Sequence, residues 1–213
     1  MPSKLPNRMY SASLQNFTSV KLIDRFLRAH SLFEQVPFPA WEHPEFEFRL
    51  IKNDDLRYWC SYLQSAELAS MISWQVKSAN DLLSFVSGED WRHAQQQFKF
   101  AISSRSNDKF IGSIGFHSIT HAHHTAEIAY DLSPEFWGKG IMASACAAFC
   151  NWGLHEVKLQ RIQATVIDTN LPSLRVLERN GFNKEGLLRN FRSVRGAARD
   201  FWMLSKLPNN QVK

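Results

Sequence analysis

The chain has 213 residues, a formal charge of +5 and 44% hydrophobic residues, enough to bury a substantial core and best fitted by one domain. Its 16 Phe and 7 Trp exclude a disordered chain, and no apolar run approaches the ~20 residues of a membrane span. Three cysteines without a Cys-x-x-Cys pair exclude a disulfide framework, which fits a reducing cytoplasm, and no signal-peptide core follows Met1-Pro2-Ser3-Lys4-Leu5.

Residues 1–45 read as an N-terminal extension. Val20 to Arg28 has helical spacing of apolar residues, and Pro37, Pro39 and Pro44 rule out a continuous helix beyond it. This segment is expected to pack on the domain or on a second subunit. Phe46, Phe48 and Leu50 alternate with charged residues as a half-buried first strand. Asn53-Asp54-Asp55 then caps a helix through Leu56, Trp59, Cys60 and Leu63. A second helical region is expected from about Asp81 to Gln97, interrupted near Gly88.

Phe98 to Ser103 and Lys109 to Ser118 read as an antiparallel pair joined by the turn-rich Ser104-Arg105-Ser106-Asn107-Asp108. Thr120 to His124 forms the next turn and Thr125 to Leu132 the next strand. A small-residue helix from Gly140 to Glu156 precedes a strand at Arg161 to Ile167. Asn170 to Arg179 is a helix ended by Asn180-Gly181. Strands at about Phe182 to Arg192 and Arg199 to Lys206 flank a turn at Arg195-Gly196. Strands around one βαβ unit predict an α+β, or mixed α/β, domain over 46–207, with a tail at 208–213.

The most informative stretch is Trp137-Gly138-Lys139-Gly140-Ile141-Met142, between an apolar strand and the small-residue helix. Two glycines flanking one residue allow a tight turn that brings successive amides toward a ligand. The helix beginning there adds unpaired N–H groups and its positive dipole end. Such a turn can hold a pyrophosphate, with Lys139 as its one cation.

Gly138-x-Gly140-x-x-Ala143 also satisfies the dinucleotide fingerprint. Ser133 to Trp137 separates the glycines from the strand, however, and the first acid that could end the next strand, Asp168, comes late. Too little chain remains for a doubly wound nucleotide domain.

The segment Glu127-Ile128-Ala129-Tyr130-Asp131-Leu132-Ser133-Pro134-Glu135-Phe136-Trp137-Gly138-Lys139-Gly140-Ile141-Met142 resembles the fourth strand and acetyl-CoA loop of the GNAT acetyltransferases. It is most similar to the RimJ/RimL-type branch, which acetylates ribosomal-protein N-termini. Asn170-Leu171-Pro172-Ser173, followed by Leu177 to Gly181-Phe182, resembles that branch's N-x-x-S…L-x-x-x-G-F stretch. Glu185-Gly186-Leu187-Leu188-Arg189 and Arg199-Asp200 match its closing strands. The resemblance spans about Phe46 to Leu207, with three motifs in order. Ala143-Ser144-Ala145 departs from the Thr-Glu-Ala of many relatives, so no role is carried onto Ser144.

The resemblance implies the GNAT fold, a central, mostly antiparallel twisted sheet flanked by helices. It implies acetyl-CoA as co-substrate, held by Leu132, Trp137, Gly138, Lys139, Gly140, Ile141, Met142, Asn170 and Ser173. It takes the oxyanion donor from a backbone N–H at about Ala129 or Tyr130. Glu127, on the strand beside the acetyl site, is the base candidate, against a strand-end carboxylate in an ion pair. Many GNAT enzymes supply the acid from a tyrosine where this chain has Leu177, so Ser173 is the substitute, against a purely helix-capping role. Tyr130, Trp59 and Trp74 are candidates for the acceptor cleft, against plain core packing.

His117, His121, His123 and His124 lie on and around a hairpin turn, and no metal is assigned to them. Basic residues are dense from Lys158 onward, which suits either a solvated face or a polyanion such as CoA phosphates or a ribosomal surface. Sequence-specific nucleic-acid binding is excluded for want of a motif. The expected reaction is acetyl transfer to a primary amine, most simply a protein N-terminal α-amine. Small amines such as antibiotics or polyamines, and a CoA-binding module without activity, are the alternatives. Trp41, Trp59, Trp74 and Trp91 read as core or dimer-face aromatics, which keeps a homodimer among the expectations.

Overall fold

The computed structural model describes residues 31–208 apart from Ser87 and Gln95. The helix expected over Val20 to Arg28 and most of the 208–213 tail fall outside the described residues. Seven strands form one sheet: β1 (Phe46–Arg49), β2 (Phe98–Ser104), β3 (Phe110–Thr120), β4 (Thr125–Leu132), β5 (Arg161–Ile167), β6 (Asn183–Val194) and β7 (Ala197–Lys206). Their order across the sheet is β1-β2-β3-β4-β5-β7-β6. Every neighbouring pair is antiparallel except β4 and β5, which are parallel and joined through a helix.

Among the described residues, four α-helices accompany the sheet: α1 (Asp55–Leu63), α2 (Ala66–Ala69), α3 (Ile141–His155) and α4 (Leu171–Arg179). Period-two alternation sorts β2 between two cores. Phe98, Phe100 and Ile102 join α3 and α4 in the larger core, whereas Ala101 faces α1 in the second. Gly153 lets α3 approach β3 closely, because a Cβ there would meet the Phe116 ring at 2.9 Å. Residues 31–45 are irregular and lie on the larger core, where Phe33 and Trp41 are buried. The Trp152 indole donates to Pro37 O at 2.8 Å and the Trp41 indole to Ser144 Oγ at 3.0 Å.

Two expectations need correction. The region from Asp81 to Gln97 is not α-helical: it forms two 3-10 segments, Ala79–Phe85 and Gly88–His93. These put Leu82, Phe85 and Trp91 into the cores, Leu82 and Phe85 one three-residue turn apart. At α1, Asp54 occupies the cap position without a side-chain bond. Asp55, one residue on, accepts from Lys52 N and pairs bidentately with Arg49 at 2.7 and 2.8 Å.

Candidate active site

β4 and β5 are paired only through Thr125–Arg161, Ala126–Ile162 and Glu127–Gln163. Past Glu127 the two strands separate, while β3 continues along β4 to Leu132 and β7 along β5 to Ile167. The parting strands open a cleft of about 280 Å³, lined by Glu127 to Asp131 of β4 and Ala164 to Ile167 of β5. Alternate backbone amides of β4 on this side therefore have no strand partner. Ala129 and Tyr130, the expected oxyanion-donor positions, both lie on the cleft wall.

Glu127 sits where the strands part and is buried. The Thr165 hydroxyl donates to Oε1, and Gln163 Nε2 approaches Oε2 at 3.4 Å. His117 Nε2 lies 3.5 Å and an Arg192 guanidinium nitrogen 3.6 Å from Oε1. Burial pushes the His117 imidazole below its ordinary range, with Lys99 and Arg192 adding to the effect and Glu127 opposing it.

Four residues on, Asp131 lies on the same strand face, as the alternation predicts. It accepts from Trp59 Nε1 at 3.0 Å, Tyr62 Oη at 2.5 Å, Ser113 Oγ at 2.6 Å and Lys99 Nζ at 3.3 Å. Burial drives the Lys99 ammonium below its usual range, and Asp131 opposes that. Trp59 is fully buried in this network and does not line the cleft, contrary to its expected acceptor role. Trp74 does line it, together with Phe85, Phe116 and Phe201. Trp41, Trp59 and Trp91 are all buried within the one chain, which leaves none of them as a dimer-face aromatic.

On the opposite strand face, the Tyr130 hydroxyl is 2.9 Å from Ser173 Oγ and 3.3 Å from Ser173 O. Burial pushes the Tyr130 phenol well above its ordinary range, so it stays protonated. Leu177, fully buried one turn along α4, carries no polar atom to this wall. Asn170 caps α4, its Oδ1 accepting from Ser173 N at 3.1 Å. Its Nδ2 donates to Met71 O at 3.1 Å, tying the two cleft walls together.

Beyond the cleft, β4 leads into the glycine loop. The Trp137 indole donates to Leu132 O at 2.8 Å and so fixes the strand end. Gly138 and Gly140 have φ of +75° and +76°, and a Cβ at either would meet nothing within 4 Å. The glycines are therefore required by backbone conformation, not by crowding. Gly140 precedes α3 without a capping side chain, so the first-turn amides of Ile141, Met142 and Ala143 have no intrahelical acceptor. The Ile141 and Met142 side chains are buried, which leaves only their backbones for a ligand. Lys139 stands exposed, its ammonium 5.2 Å from the Phe136 ring centroid. The loop fits a pyrophosphate: open, amide-rich and carrying one cation.

The remaining candidates are dispersed. His121 bonds Leu32 N and Ala94 O, and no described group of three or more ligand-type side chains converges for a metal. Several basic residues of the last third are paired locally, Arg161 with Glu185, Lys184 with Glu178 and Arg199 with Asp168. Cys146 and Cys150 are buried free thiols 3.8 Å apart on α3. No helix among the described residues is long and apolar enough to cross a membrane. Arg192 and the Asp131–Lys99 network were missed in the sequence because no local motif marks them.

Comparison with known proteins agrees with this geometry. Residues 45–183 match the model of an acetyltransferase (GNAT) domain. An uncharacterized N-acetyltransferase p20 of Bacillus licheniformis is 31% identical over 163 residues, covering 75% of this chain and 90% of the relative. The structure of a ribosomal-protein-S5-alanine acetyltransferase from Vibrio fischeri superposes with a TM-score of 0.69 at 28% identity, covering 80% and 97% of the two chains. RimJ of Mycobacterium smegmatis, in complex with CoA-disulfide, gives a TM-score of 0.68 at 26% identity over 79% and 84%. A spermidine N(1)-acetyltransferase of Escherichia coli is 23% identical over 142 residues, 67% of this chain and 75% of the relative.

Proposed function

The chain belongs to the GNAT family of N-acetyltransferases, and within that family we propose that it moves the acetyl group of acetyl-CoA to the α-amine of a protein N-terminus, as on a ribosomal protein. The observation that carries this reading is the buried carboxylate of Glu127, at the point where β4 and β5 part, while Asp131 in the same cleft is taken up by four donors. The Gly138–Met142 loop and the start of α3 hold the CoA phosphates, and the pantetheine arm enters between the strands. Glu127 takes the proton from the incoming ammonium, and His117, kept neutral by burial, passes it outward. An unpaired β4 amide at Ala129 or Tyr130 receives the oxyanion that develops on the acetyl carbonyl. The Ser173 hydroxyl, backed by Tyr130, protonates the departing CoA thiolate in place of the tyrosine missing at Leu177.

Amine basicity favours the N-terminus. An α-amine titrates near 7.7–8.0 and a lysine amine near 10.4, so at pH 7.5 about a third of the former but only about 0.1% of the latter is free base. One carboxylate already facing Arg192 and His117 suits the easier acceptor. The ribosomal-protein acetyltransferase among the structural neighbours supports the same acceptor class. Incubating the enzyme with acetyl-CoA and peptides bearing a free N-terminus or only lysine amines, then locating the label by mass spectrometry, tests the reading. Label on lysine alone would overturn it.

A further inference from the structure

Resting on this assignment of the cleft, we infer that Arg192 sets acceptor specificity: it binds a carbonyl or carboxylate oxygen next to the amine that Glu127 deprotonates, and it turns away polyamines. Arg192 lies on β6 and reaches across the cleft. Its guanidinium is 3.6 Å from Glu127 Oε1 and donates to Ser73 Oγ at 3.4 Å. Phe191 and Phe201 hold it in place, their ring centroids 4.9 and 5.6 Å from its central carbon. Both polar contacts are long, so most of its five N–H donors remain for a ligand while stacking fixes their direction. A cation one ion-pair distance from the base matches an α-aminoacyl group, whose amine and oxygen acceptor are separated by two carbons.

The charge balance of the lining points the same way. Its two described carboxylates are Glu127 and Asp131. Asp131 is already saturated by four donors, among them the Lys99 ammonium. A polyamine placing one nitrogen at Glu127 therefore finds no free anion for its next cation, and meets Arg192 instead. The aromatic walls at Trp74, Phe85 and Phe116 accept a small apolar side chain. An aminoacyl amide and a peptide N-terminus share this chemistry, and separate arms of the experiment distinguish them.

The test is steady-state kinetics of the parent, Arg192→Gln and Arg192→Lys with five acceptors: alaninamide, an Ala-starting tripeptide, isopropylamine, butylamine and spermidine. Arg192→Gln should lower kcat/KM for alaninamide and the tripeptide roughly ten- to hundred-fold, mainly through KM, as expected for loss of a charged hydrogen bond. Isopropylamine should lose markedly less, so that the alaninamide-to-isopropylamine ratio of kcat/KM falls about tenfold or more; any effect of the lost cation on Glu127 acts on both amines and cancels in that ratio. Arg192→Lys should keep spermidine disfavoured, whereas Arg192→Gln should relax that. A tripeptide turned over far better than alaninamide assigns the site to peptides, and equal use assigns it to any aminoacyl group.

Equal losses on alaninamide and isopropylamine, with CoA affinity intact, would make Arg192 merely structural and overturn the inference. Should the variants fail to fold, the parent alone decides: spermidine used as efficiently as butylamine overturns the exclusion, and a clear preference for butylamine supports it. Turnover with unchanged selectivity defeats this inference only. CoA binding without turnover of any amine defeats the proposed function and this inference with it.

Discussion

Replacing Glu127 by Gln removes the proposed base while keeping its shape. The amide oxygen can still accept from Thr165, and the buried volume is unchanged. What is lost is the charge facing Arg192 at 3.6 Å and His117 at 3.5 Å. Arg192 is about one-third exposed, so water covers its freed charge and the folding cost stays below about 1 kcal/mol. A positioned general base is worth ~10²–10⁴ in rate. Because an α-amine is partly free at neutral pH, the lower part applies, ~10²–10³ or about 3–4 kcal/mol of barrier. The loss should be greatest at pH 6, where the ammonium predominates, and shrink toward pH 9, while the CoA dissociation constant stays within twofold. Thiol release with an N-terminal peptide, measured over that range, checks both statements. Equal rates for parent and variant from pH 6 to 9 would remove Glu127 from the mechanism.

Gly140→Val should weaken CoA binding at least tenfold by calorimetry, because a β-branched residue at φ +76° is strained by more than the ~1–2 kcal/mol of an ordinary side chain. Gly140→Ala should fall between parent and Val, since its Cβ would meet nothing. Ser173→Ala should lower kcat about ten- to hundredfold and Tyr130→Phe about fivefold, and the double variant should match Ser173→Ala alone if the two hydroxyls act as a unit. Glu185, bonded first by Arg161 and then by Ser205, is held at a pKa of about 2. Its stabilisation is thus present above the ordinary carboxylate range and fades as pH falls through about 2. Solvent screening limits it to ~1 kcal/mol, so Glu185→Gln should lower Tm by about 2–4 °C at pH 7, with the gap closing as acid is added.

Local patterns made much of this fold legible. Alternation delimited β4 and β5 at their observed ends, and Asn170 marked the start of α4 through its capping oxygen. The glycine turn was readable because positive φ leaves a residue signature. The region around Leu82 and Trp91 was misread because 3-10 spacing mimics a short stretch of helical periodicity. Trp59, on the early helix α1, reads as a cleft residue in sequence, yet α1 contributes no lining residue and the indole points inward to Asp131, 72 positions away in the chain. Lys99, Asp131, Tyr130, Ser173 and Arg192 meet only through strand order and crossover. No spacing rule operates across 32 or 43 residues.

The most direct test of the central claim is the position of the acetyl group on a peptide that carries both a free small N-terminal residue and an internal lysine. After incubation with acetyl-CoA near pH 7.5, tandem mass spectrometry should place the added acetyl on the α-nitrogen, with the lysine left unmodified. Acetyl found on the lysine side chain, with the α-amine free, would contradict the account.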